Sequence, residues 1–173
     1  MPLSPAAPPQ RGKYKPPHYF RQCEARCLDR EVASPREEVL AAWLTVGKDM
    51  AAVSHESALD PLDLSDAIPE AAHLSVPHLW RNLPSLPRVR IHTSVRPLQP
   101  SELTYRDGMA ITSATRTILD VAEAGAARDQ VELSVIQAVE RGLAVPDQLR
   151  RGAAARGRRV AALIEGALRR AAV

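Results

Sequence analysis

Apolar and polar positions along the chain fall into successive regimes, each predicting a different kind of element. From 35 to 46, Val39, Trp43 and Val46 recur at helical spacing with Leu40 and Leu44 beside them. Ser34-Pro35-Arg36-Glu37 stands in front of that stretch. The Ser34 hydroxyl can accept the Glu37 amide, the Glu37 carboxylate can reach back, and Pro35 occupies the first helical position, where an N–H is not needed. A helix over 35–46, ended by Gly47, is predicted.

Between 72 and 112 the period shortens to two. Ala72-His73-Leu74-Ser75-Val76 alternates up to Pro77, which has no N–H for a ladder, and Val89-Arg90-Ile91-His92-Thr93 repeats the alternation. Leu103–Arg106 and Met109–Thr112 flank Asp107-Gly108, a pair that accepts the positive φ angles of a two-residue type I′ turn, so 103–112 reads as a hairpin. After Ser113, a helix N-cap, the helical period returns: Ile118, Leu119, Val121 and Ala122 form a stripe ended by Gly125. A second helix fills 128–141 before Gly142, and Pro146 opens a third. In a fourth, 157–171, Val160, Leu163, Ile164, Ala167 and Leu168 oppose arginines. An N-terminal helix, a small sheet and about four C-terminal helices predict an α+β fold, with the sheet mostly antiparallel.

Residues 1–33 depart from these patterns. Six of the first 17 residues are proline and almost none is a branched aliphatic, so 1–33 is expected to be a basic, largely disordered lead-in to a single domain over 34–173. The chain of 173 residues is 45% hydrophobic and 25% charged, the usage of a globular protein and not of a fibrous, disordered or disulfide-stapled one. Cys23 and Cys27 alone make no disulfide framework. No run approaches 18 apolar residues and no signal-peptide core opens the chain, so no membrane partner and a cytoplasmic location are expected. The six aromatics, Tyr14, Tyr19, Phe20, Trp43, Trp80 and Tyr105, are too few for a base-stacking surface.

A net charge of +3 conceals segregation: residues 31–76 carry net −7 and 148–173 carry net +6. Arg150, Arg151, Arg156, Arg158, Arg159, Arg169 and Arg170 are therefore candidate contacts for nucleic acid or an acidic partner, against the ordinary reading of a solvated helix face.

His55, His73 and His92 invite a metal reading, but neither H-E-x-x-H nor paired C-x-x-C occurs, so they are expected to be structural, with no metal and no cofactor. Ser54-His55-Glu56-Ser57 places hydroxyl, imidazole and carboxylate side by side. Adjacent residues do not face one another and no G-x-S-x-G elbow is present; Ser54 reads as an N-cap and no catalytic residue is assigned. Isolated glycines build no phosphate loop.

Several segments, taken in order, resemble a known family. They are Val53-Ser54-His55-Glu56-Ser57-Ala58-Leu59, Leu64-Ser65-Asp66-Ala67-Ile68-Pro69, His73-Leu74-Ser75-Val76-Pro77, Val89-Arg90-Ile91-His92-Thr93, Thr112 leading into Arg116-Thr117-Ile118-Leu119-Asp120, and Arg141-Gly142-Leu143. From about 34 to 150 the chain resembles the C-terminal domain of the AbiEi family, the antitoxins of abortive-infection (type IV) toxin–antitoxin systems. Asp60-Pro61-Leu62-Asp63-Leu64 departs from the small aliphatic and glycine stretch of relatives.

The resemblance implies a non-enzymatic antitoxin that counteracts a nucleotidyltransferase-like toxin and represses its own operon. Ser54, His55, Ser57, His73, Pro77, His92, Thr112, Arg116 and Asp120 are then structural or partner-binding, with Arg116 and Asp120 pairing at i,i+4 to fix helix to sheet. The family reads DNA through an N-terminal winged helix of about 50 residues. Only 33 residues precede the capping box, so that part is expected to be missing or replaced and duplex DNA binding to be weak. The alternatives are a nucleic-acid-binding regulator using the basic C-terminal helix, and a degenerate remnant without activity.

Overall fold

Helix α1, Pro35–Val46, begins as its sequence dictates: the Ser34 hydroxyl accepts the Glu37 amide at 3.3 Å and the Glu37 carboxylate accepts the Ser34 amide at 2.7 Å. The computed structural model describes residues 34–65, 68–78, 83, 85–94 and 98–171. The proline-rich lead-in, Cys23, Cys27, Trp80 and the other aromatics before residue 34 lie outside them. Val39, Ala42, Trp43 and Val46 turn inward, whereas Leu44, placed by its spacing beside the apolar face, is 55% exposed. The Trp43 indole N–H donates to the Ala51 carbonyl at 2.7 Å, which ties α1 to strand β1, Ala52–Val53. Two residues are too few for a period of two to register in the sequence.

The other strands are β2, Ala72–Pro77; β3, Val89–Ser94; β4, Leu103–Arg106; and β5, Met109–Thr112. Their order is β3-β2-β1-β5-β4. Asp107 (φ 50°) and Gly108 (φ 78°) make the positive-φ turn of the β4–β5 hairpin, in which Leu103 pairs with Thr112 and Arg106 with Met109. The sheet is mixed, not mostly antiparallel: β1 is antiparallel to β2 but parallel to β5, and β2 is parallel to β3. Strand alternation carries no direction, and the eleven residues 78–88 give the chain enough length to return and run parallel. Strand β2 also differs from a half-exposed reading. Ala72 to Val76 are all buried, polar His73 and Ser75 included, and Pro77 belongs to the strand, opposite Ser94.

A one-turn helix α2, Glu56–Leu59, follows β1. After the sheet come α3, Ala114–Ala124; α4, Arg128–Glu140; α5, Pro146–Ala154; and α6, Arg158–Ala171. Helix α1 packs on β1 and β2, α2 bridges β2 and α3, and α6 packs along α4 and α5. All these elements belong to one unit, Ala33–Val173, and its core runs from Val53, Leu74 and Ile111 of the sheet through Leu59 and Ile118 to Val131, Leu149 and Ile164, each fully buried. The six helices and mixed sheet make an α+β fold. Among the described residues no helix is long and apolar enough to cross a membrane.

Candidate functional site

The parallel register of β2 and β3 sets Ser75 opposite His92 and Arg90 opposite His73. Alternation puts His73 and Ser75 on one face of β2, and the register adds His92 to it. His55 comes to the same place from the end of β1, where its backbone takes φ 51° and ψ −138°. This is a left-handed conformation that costs an L residue about 1–3 kcal/mol and persists only when its surroundings hold it. The ring of His55 lies over that of His92, with centroids 3.5 Å apart and planes inclined by 16°. His73 is tilted against both, its centroid 5.1 Å from His92 and 5.9 Å from His55, and its Nδ1 lies 3.3 Å from His92 Nε2.

Two serines fix this arrangement. Ser57 Oγ accepts the His73 amide at 2.9 Å and donates to the Ala71 carbonyl at 3.3 Å. Ser54 Oγ accepts the Ser75 hydroxyl at 2.8 Å and lies 3.0 Å from His55 Nδ1. Ser54 is thus not a helix cap: His55 precedes α2, no side chain caps it, and the buried Ser54 hydroxyl is committed to Ser75 and His55. Burial, then the neighbouring His92 and His73, then Arg116 and Arg156 push the His55 imidazole down to about 3. Burial followed by Arg90 lowers His73. Burial, His73 and Arg90 lower His92 against an opposing pull from Asp120. Three neutral rings result, and among the described residues no carboxylate or thiol hydrogen-bonds to them.

Beside the histidines lies a network of charges. Asp120, 4% exposed, accepts Arg116 Nε at 2.7 and 2.8 Å and Arg156 Nη2 at 2.8 Å. Arg116 also donates to Glu102 at 3.1 Å, which joins α3 to the 3-10 turn Pro100–Glu102 leading into β4, and Arg156 donates to Glu123 at 3.0 Å. Burial alone would raise Glu102; the Gln99 amide and the Arg116 guanidinium outweigh it and hold the carboxyl below its usual range. Thr112 Oγ1 meets Thr117 Oγ1 at 2.7 Å in the interior, while Pro77 stands at the end of β2 away from these contacts.

Four of the seven basic C-terminal arginines are paired with carboxylates. Arg150 pairs with Asp147 and Glu165, Arg156 with Asp120 and Glu123, Arg169 with Glu165, and Arg170 with Glu132. Arg151 donates to the Asp147 carbonyl and Arg159 to the Glu123 carbonyl. With Arg158 these are the three of the seven without a carboxylate partner among the described residues.

The Asp60–Leu64 segment is anchored from two sides. Arg36 binds Asp60 at 2.6 Å, and Arg141 donates to the Leu62 and Asp63 carbonyls at 3.2 and 2.7 Å across Asp63, whose φ is 54°. Ser134 adds a hydrogen bond to the Leu64 carbonyl at 3.0 Å. Ser75, Arg156 and Glu102 take part in the centre without standing among the residues that the sequence marked for it, apart from Arg156 as a candidate surface contact. The i,i+2 relation of His73 and Ser75 was the one local signal for Ser75. No family model and no curated protein matches the chain.

Proposed function

We propose that this chain is an AbiEi-like antitoxin domain over 34–173 that acts by binding and counteracts a nucleotidyltransferase-like toxin. One observation carries the reading: the residues through which the sequence resembles that family are one another's partners in the interior. Ser57 holds the His73 backbone, Ser54 rests against His55, Thr112 meets Thr117, and Arg116 binds Asp120. Such an ordered set specifies a scaffold, in this reading an N-terminal helix, a small sheet and a four-helix C-terminal cluster, and leaves the outer surface to the partner.

Co-expression with a nucleotidyltransferase-like toxin encoded beside this chain tests the reading. Restored growth supports it; a toxin that stays fully active beside folded, soluble protein contradicts it and favours the remnant. A second reading, sequence-independent contact with duplex DNA, rests on Arg151, Arg158 and Arg159, whose charge no carboxylate answers among the described residues.

A further inference from the structure

The geometry points to a three-nitrogen site for a divalent transition ion at His55, His73 and His92, with zinc(II) the best fit and a fourth position left to water or to a ligand atom. One nitrogen from each ring lies within 4.8 Å of the other two. Tetrahedral zinc binds imidazole nitrogens at about 2.0–2.1 Å, so two ligand nitrogens on one ion stand about 3.3 Å apart. His92 Nε2 and His73 Nδ1 are already at 3.3 Å. The widest separation, 4.8 Å, has to close by no more than about 1.5 Å to meet the same geometry.

The third ring is prepared from behind. With Nδ1–H donated to Ser54 Oγ, His55 presents Nε2 as a lone pair, the outer-shell arrangement by which ligating histidines are oriented. Ser54 is in turn held by Ser75, and the strained His55 backbone is what brings this ring onto His92. Coordination opens that stack, because rings bound to one ion radiate from it.

The donor set is nitrogen only, which suits zinc, nickel or copper and not calcium or magnesium. Arg116 and Arg156 stand near His55, but Asp120, Glu102 and Glu123 answer their charge, and Arg90, the cation beside His73 and His92, is exposed to solvent, which screens it. His55 and His92 are only half-buried, which leaves an approach to the fourth position.

The test uses the full chain, stripped by a chelator and titrated with zinc chloride in a calorimeter and with cobalt(II) under visible absorption. One equivalent should bind, cobalt giving the visible band of a tetrahedral site. His55→Asn, which keeps a side chain tolerant of positive φ, His73→Ala and His92→Ala should each weaken binding by at least about 100-fold, and Ser54→Ala by about 10-fold, as for an outer-shell partner. His78→Ala and the double variant Cys23→Ser/Cys27→Ser should leave it unchanged. Zinc should also shift the His55 and His92 ring protons in the wild-type spectrum as the stack opens, a readout that does not depend on any variant folding. Binding that survives loss of all three histidines, binding that vanishes with the cysteines, or zinc that leaves those ring protons unmoved would overturn the site.

Discussion

At the helical end of the molecule, guanidinium charge meets carboxylate, as Arg150, Arg156, Arg169 and Arg170 each find a partner on their own or a neighbouring helix. Where β1, β2 and β3 come together, three imidazoles meet one another and are positioned by serines. The denser group in the sequence therefore retains the less free valence. Seven arginines within 26 residues leave three charges unanswered by carboxylates among the described residues, while three histidines spread over 38 residues leave converging ring nitrogens. Clustering along a chain measures how often a residue type occurs, and only the fold decides what each copy meets.

Asp120 is the joint between the two regions, and its removal should break the comparison most severely. Asp120→Ala leaves Arg116 and Arg156, both largely buried, without their shared carboxylate, and should cost about 3–5 kcal/mol. Urea unfolding measures it; a loss under about 1 kcal/mol would mean that solvent already screens the cluster. Next in size is Ser57→Ala, which strips the His73 amide of its acceptor inside the sheet and should cost about 1–3 kcal/mol. Valine at 57 should do no better, since the loss is of a hydrogen bond and not of volume.

Acid should separate the regions by their titration. Burial lowers all three histidines, helped by neighbouring rings at His55 and His92 and by Arg90 at His73 and His92, so as pH falls below about 6.5 the unfolded chain takes up protons before the folded one. The stability is complete above that value and is lost as pH falls through the lowered value of each ring, about 3 for His55, at no more than about 1.4 kcal/mol per pH unit for each ring. Allowing for partial exposure, metal-free protein should lose about 1–2 kcal/mol between pH 7 and pH 5. Equal unfolding midpoints at the two pH values would contradict this. Glu102, Glu132 and Glu165 are lowered from an already acidic value, and their contribution is lost only below that window.

The smallest effect belongs to the arginines. Glutamate at Arg151, Arg158 and Arg159 should change stability by less than about 1 kcal/mol, because none of the three pairs with a carboxylate among the described residues. Any duplex DNA binding by the wild-type chain should show a log–log salt slope of about −3 at most, for three free charges, and not the −6 of seven. A slope near −6 at low salt would show that the internal ion pairs open on contact.

Local chemistry made much of the fold legible. The Ser34–Glu37 capping box, the Asp107-Gly108 turn and the Ser113 cap each act within four residues, and each appears where its residues stand. Arg116 and Asp120 were readable for the same reason, lying one helical turn apart. The histidine centre was not. It depends on β2 and β3 running parallel with Ser75 opposite His92, and on a backbone conformation at His55 that histidine does not prefer. Ser54 misled because a serine before a helical turn has the signature of a cap, whereas here the competing partners are His55 and Ser75.

The meeting of the three imidazoles is tested most directly by nitrogen-detected NMR of the histidine side chains in metal-free protein between pH 3 and 8. Three rings should protonate below pH 6.5, with His55 protonating only near 3, and contacts should connect the His55 ring to that of His92 and the His92 ring to that of His73. Five histidines that all titrate near 6.5, with no ring-to-ring contact among 55, 73 and 92, would contradict the centre.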